Sequence, residues 1–250
     1  TPTFYYRIGS LLLKKELLFV EKQDQLLVRY TLLEGSGRVK LLIYPLLAFR
    51  NAHTLTVENM ELNTNYTALR DGGVDFKMYA EFPELAFHID RPAEYIHAPD
   101  WNRGVFYAQE AARGYPSVED LWMPGTFEVE FSEGESVILS VSTLRTLGKD
   151  LERKFEKELA SRPPRIDFET TLKAAAGQFI ANRGRSIWIN AGYPWFGRWG
   201  RDTMISLPGL TLSFGDYESF RTIFMGLLRE ARDGFLPNMG GINNSSYNSV

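Results

Sequence analysis

There is no cysteine among the 250 residues, which excludes disulfides and thiolate metal sites and fits a reducing compartment. Neither sign of charge dominates: a formal net charge of −3 leaves no basic footprint, so nucleic acid or an anionic membrane surface is not an expected partner. No apolar run approaches the roughly twenty residues that a membrane helix requires, and Thr1 to Ser10 lacks the form of a signal peptide. A cytoplasmic location is expected. Histidine is scarce; His53, His88 and His97 have no metal-ligand spacing, and no GxGxxG, P-loop or HExxH pattern occurs. Thr1 stands where an initiator methionine would, which suggests an incomplete or processed start. What remains is ordinary globular material, 44% hydrophobic and 24% charged, enough for one large or two smaller domains.

The chain changes texture once. Up to residue 147 it is a series of short segments rich in β-branched and aromatic residues, among them FYYRIG, LLFVEK, QLLVRYTLL, VKLLIYPLLAF, HTLTVEN, FKMYAEF, LAFHID, YIHAP, GVFYAQEA, GTFEVEF and SVILSVSTL. Turn signals such as EGSG, RDGG and SEGE separate them, and Thr126 to Phe131 alternates apolar with polar residues. This pattern predicts an antiparallel β-sandwich over 1–147. Arg91 to Gly104 reads as a second aromatic and acidic loop region.

From Gly148 the period is helical. Leu151, Phe155 and Leu159 form an apolar stripe on a charged helix that Pro163 and Pro164 stop, giving a helical linker over 148–165. Asp167 is expected to cap a helix from Phe168 to about Asn182 that buries Phe168, Leu172, Ala175, Ala176 and Phe179. Another runs from about Asp202 to Phe214, with Pro208 inside it and Gly215 ending it; Asp216 caps the next, which buries Phe220, Phe224, Leu227 and Leu228.

Between the first two of these helices lies AGYPWFGRWGRDTMISLPGL, residues 191–210. Three of the five tryptophans fall between Trp188 and Trp199, and Tyr193, Trp195, Phe196 and Trp199 share seven positions with glycines. Large rings with polar tips in a Gly-rich, non-periodic segment make a poor core but a good wall for a ligand that is part apolar and part hydroxyl, such as a sugar. Arg201 is then a candidate clamp for hydroxyls, or an ion-pair partner of Asp202. Asp202 is a candidate carboxyl for glycoside hydrolysis, or simply an N-cap for a helix starting at Thr203. A helix start and Arg201 favour its ionised form and burial among rings favours the protonated one.

GYPWFGRWGRDTMISLPGL resembles the signature segment of bacterial and archaeal type glycogen debranching enzymes, the amylo-α-1,6-glucosidases. SVEDLWMPGTFEVEF and the DGFLPN and YNSV stretches carry weaker likeness to the same family. The resemblance implies a multidomain enzyme: an N-terminal antiparallel β-sandwich of supersandwich type, then over 166–250 the first helices of an (α/α)6 toroid, truncated. It implies an α-glucan substrate (glycogen or limit dextrin), hydrolysis of α-1,6 branch points with inversion, and Asp202 as a catalytic carboxylate, most naturally the general acid. No cofactor is expected, because two carboxylates suffice. Tyr193, Trp195, Phe196, Trp199, Arg201, Asn238, Tyr247 and Asn248 are the expected substrate-binding residues. Glu218 and Glu230 read as a solvated helix face and Asp233 as a turn former, so the second carboxylate is expected beyond Val250, and this chain, read as a fragment, is expected to be inactive alone. Two alternatives stay open: another toroid glucosidase of glucoamylase or trehalase kind, and a non-catalytic glucan-binding module.

Overall fold

The computed structural model describes residues 1–70, 72–144, 150–184, 186–193, 196–238 and 247. The described chain forms two compact units, Thr1–Arg162 and Pro163–Val250.

The first unit is built from antiparallel sheets. Seven strands, β1 (Thr3–Ile8), β2 (Leu11–Phe19), β3 (Gln25–Glu34), β5 (Tyr66–Ala68), β6 (Val74–Phe76), β7 (Leu85–Ile89) and β10 (Ser136–Ser142), pair in the order β1-β2-β3-β10-β7-β6-β5. Three more, β4 (Arg38–Ile43), β8 (Glu94–Phe106) and β9 (Val118–Ser132), pair in the order β4-β9-β8. The two sheets share one core: Val28, Tyr30, Val74, Phe76, Phe87 and Leu139 from the larger meet Ile43, Trp122 and Phe127 from the smaller. The period-two alternation in β9 places Phe127, Val129 and Phe131 inward, while Glu128 pairs with Lys40 across the outer face at 2.7 Å.

The central strand β3 is buried on both faces. Val28 and Tyr30 face the smaller sheet, while Leu27, with Leu18, Val20 and Ile138, lies under the helix α2 (Leu151–Ala160). The stripe read at Leu151, Phe155 and Leu159 is the face that packs there. Arg29 lies in this layer, its guanidinium 4.0 Å from the Phe155 ring and hydrogen-bonded to Glu16 at 2.8 Å, with Glu156 and Glu152 of α2 as further partners. Burial opposes its charge, but the bonds to Glu16 and Glu156 outweigh that and strengthen it.

Several segments differ from expectation. HTLTVEN, residues 53–59, is irregular, and YIHAP and GVF are parts of one long strand, β8, with register shifts between His97 and Asp100 and between Asn102 and Val105. Arg91 to Gly104 is therefore mostly strand rather than loop. The remainder of GVFYAQEA forms the short helix α1 (Ala108–Ala112). The reason is a pair of adjacent carboxylates on β9. Glu119 accepts from both Nη2 (3.0 Å) and Nε of Arg50, from the Tyr107 hydroxyl (2.7 Å) and from the Thr56 N–H (3.1 Å). Asp120 accepts from the N–H groups of Glu58 (3.0 Å) and Gly104 (2.9 Å). These long-range bonds replace ladder partners for residues 50–58 and tie them to the sheet.

In the second unit Asp167 caps α3 (Phe168–Phe179) through a capping box, accepting from the Thr170 N–H at 2.8 Å. The helix is shorter than read, because the chain turns at Gly184 into a hairpin of β11 (Ile180–Arg183) and β12 (Ser186–Ile189). Its buried face is small, Ala174 and Ala176, whereas Phe168 is 82% and Leu172 51% exposed, contrary to the expected stripe. Next comes α4 (Gly200–Leu210), which carries Pro208 and tightens into a 3₁₀ turn at Leu212–Phe214. Gly215, at φ 74°, ends it as expected, and Asp216 caps α5 (Tyr217–Arg229) by accepting from the Ser219 N–H at 3.0 Å. Ile189, Leu207, Ile223 and Leu227 are buried here, with Phe179, Phe220 and Phe224 packed against this core and Leu228 left largely exposed, contrary to expectation.

Candidate functional site

The segment that leads from β12 into α4 is a closed loop. Its ends meet where the Ala191 N–H donates to the Gly197 carbonyl at 2.9 Å and Gly192 pairs with Phe196. Phe196 stands over Gly192, 3.2 Å from where a Cβ would be, so a side chain at 192 would press on the ring. The Tyr193 hydroxyl donates to the Gln178 carbonyl at the end of α3 and accepts from Asn190 Nδ2 at 3.3 Å. Tyr193 and Phe196 are both more than half exposed, and Trp199 is half-buried at the N-cap of α4. The loop thus presents ring faces outward while its polar groups are used to hold its own shape.

Helix α4 starts at Gly200, so Asp202 is its third residue and not its cap; no side chain caps this helix. Asp202 is half-buried, and among the described residues its carboxylate has no hydrogen bond or ion pair, with Arg201 or any other group. Its backbone carbonyl accepts from the Ser206 hydroxyl at 2.7 Å. Next to it Thr203 is buried, with its hydroxyl unpartnered among the described residues. Arg201 is exposed.

The other acids of this unit are occupied or fully exposed. Asp167 and Asp216 cap helices, Glu169 pairs with Lys173 at 2.6 Å, and Glu230 pairs with Arg198. Asp233, at φ 50°, forms the tight turn in which Arg232 and Phe235 exchange backbone hydrogen bonds, and Glu218 is exposed in the first turn of α5. Asp202 is therefore the partly buried acid of the unit left without a partner among the described residues. A carboxyl in the first helical turn, without a partner among the described residues, is chemically able to exchange a proton with a ligand oxygen.

The remaining expected residues divide. Asn238 is half-buried and its carbonyl accepts from the Gly200 N–H at 2.8 Å, which brings it to the start of α4. The Tyr247 hydroxyl donates to the Glu230 carbonyl at 2.6 Å, and Arg232 lies 5.4 Å from its ring. Trp195 and Asn248 lie outside the described residues. Arg198 carries no signal in the sequence and Glu230 reads there as a solvated face, because a partner 32 positions away leaves no local trace. No group of three or more His, Asp or Glu among the described residues is placed to hold a metal ion. In the first unit a polar groove lined by Arg38, Lys40, Asp90, Arg91, Glu128 and Glu130 has Lys40 and Arg38 paired with Glu128 and Glu130.

A bacterial glucoamylase solved in complex with acarbose aligns with 96% of this chain at a TM-score of 0.50 and 13% sequence identity, a likeness of fold to a glycosidase. This chain spans 41% of that protein's length. No match is found among curated protein sequences. Two family models match, Glycogen debranching enzyme N terminal over residues 1–138 and Amylo-alpha-1,6-glucosidase over residues 174–250. The chain belongs to the glycogen debranching enzyme family.

Proposed function

We propose that this chain is part of a cytoplasmic glycoside hydrolase that cleaves α-1,6-glucosidic branch points of glycogen or limit dextrin, with inversion and without a cofactor. Residues 166–250 are read as the opening of an (α/α)6 toroid and residues 148–165 as the helical connection to the β domain. Asp202 is the general acid: it protonates the glycosidic oxygen while a water attacks the anomeric carbon from the opposite face. The partner carboxylate that activates this water lies outside the described residues, since the other acids of the second unit are capping, paired or exposed. Inverting enzymes keep the two carboxyls about 6.5–9.5 Å apart to leave room for the water. Tyr193, Phe196 and Trp199, with Trp195, are assigned to the C–H surfaces of glucose, and Arg201, Asn238, Tyr247 and Asn248 to its hydroxyls.

The observation that carries this reading is the unpartnered, half-buried carboxylate of Asp202 in the first turn of α4, at the end of a loop of exposed rings. In the full-length polypeptide, panose and isomaltose-capped limit dextrin are expected to be hydrolysed with initial release of β-glucose, and maltose and trehalose poorly. Asp202→Asn is expected to lower kcat at least about 100-fold with the fold intact by circular dichroism. Preferred turnover of maltose or trehalose would assign a glucoamylase-like or trehalase-like activity. Retention of glycogen with no hydrolysis of any of these would assign a binding module.

A further inference from the structure

We propose that Glu230 is a positioning residue for Asp202, acting through Arg198, and not the second reacting carboxylate; this rests on the role given to Asp202 above. Arg198 lies in the segment that enters α4 and is ion-paired to Glu230, the C-cap residue of α5. The pair is largely sheltered, with the two side chains 25% and 36% exposed. Glu230 is held in turn: its carbonyl accepts from the Tyr247 hydroxyl at 2.6 Å, and Tyr247 lies under Arg232. Two positions past Arg198 the Gly200 N–H donates to the Asn238 carbonyl at 2.8 Å. The contact there is so close that a Cβ on Gly200 would come within 1.9 Å of the Pro237 carbonyl oxygen.

The turn bearing Asp202 is therefore fixed at two points, by a side chain at 198 and by backbone at 200. Both anchors lie on the stretch after α5, so Glu230 joins α5, Tyr247 and the entry to α4. Arg198 reaches Glu230 through Nη2, a charge-assisted bond directed by the rigid guanidinium plane, while its buried Nε has no partner among the described residues. With Oε2 engaged by Arg198, Glu230 serves the turn rather than a water. Misplacement of a proton donor by about 1 Å is enough to cost about 100-fold in rate.

The test is steady-state kinetics of the full-length polypeptide on isomaltose-capped limit dextrin, with thermal unfolding measured in parallel. Glu230→Gln and Arg198→Ala are expected to lower kcat by about 10- to 100-fold and to leave KM within about twofold. Arg198→Lys keeps the charge without the planar fork and should fall between these and the wild type. The exchange Arg198→Glu with Glu230→Arg should regain most of the lost kcat. Unchanged kcat in Glu230→Gln overturns the proposal. So does a loss of about 10,000-fold or more that the exchange does not repair, because that marks a reacting group. If the exchange variant does not fold, the order of Arg198→Lys, Arg198→Ala and Glu230→Gln decides. Full activity in Asp202→Asn would instead remove the role of Asp202, a separate failure.

Discussion

Glu119 is the clearest case of one side chain setting the path of a distant segment. Its carboxylate is fully buried, and burial alone would raise its pKa. Hydrogen bonds from Arg50 and Tyr107 and from the Thr56 N–H outweigh burial and hold the carboxyl at about 2. A carboxyl depressed on folding contributes stability that is fully present above its ordinary range near 4.5 and is lost as pH falls toward 2. The first unit is thus expected to weaken progressively below about pH 4.5, by about 3 kcal/mol in all from this group. Glu119→Gln should flatten that part of the profile in denaturant titrations at stepped pH. It should also destabilise the unit at neutral pH, because the half-buried guanidinium of Arg50 then lacks its counter-charge. An unchanged acid limb in the variant would mean that other carboxyls carry the loss.

Among the elements, α2 shows what a helix with one apolar stripe does when a sheet offers it a face. Phe155 is fully buried between Leu18, Leu27 and Ile138 and beneath the Arg29 guanidinium. Phe155→Ala is expected to cost about 3–5 kcal/mol, through lost burial and a residual cavity. It should also free the helix for cleavage by trypsin near Lys154 and Lys157 under native conditions. Elements set by local chemistry were legible in the sequence. The caps at Asp167 and Asp216 and the stop at Gly215 depend on neighbours within a few positions, and the Leu151, Phe155, Leu159 spacing defines its face without outside help. Elements set by partners were not. Ile180 to Ile189 reads as helix followed by loop, yet two four-residue strands and a glycine turn form there because each supplies the other's ladder. Phe168 and Leu172 have helical spacing but are 82% and 51% exposed, so periodicity overstated their burial. The candidate site divides the same way. The density of rings before Asp202 marks the segment in the sequence, while the Arg198–Glu230 tie joins the segment entering α4 to the C-cap of α5 and leaves no local trace.

At the scale of the molecule, charge separates the proposed ligand from other polymers. A branched glucan is neutral, so no counterions are released when it binds, and ring faces with hydroxyl bonds must supply the affinity. A chain with net charge −3, in which Arg7, Arg38, Lys40 and Arg103 are paired with glutamates, has no net positive charge to gather a polyanion. For the full-length polypeptide, kcat/KM on limit dextrin is expected to change by less than about twofold between about 0.05 and about 0.5 M NaCl. A charged ligand held by several lysines or arginines would lose orders of magnitude over that range. Stopped-flow or initial-rate measurements at constant pH decide between them, and a steep salt dependence would overturn the neutral-ligand reading. The proposed glucan matches a run from Tyr193 to Trp199 that is richer in rings than in charge: for a neutral polyol in water, covering C–H surface discriminates better than adding charge.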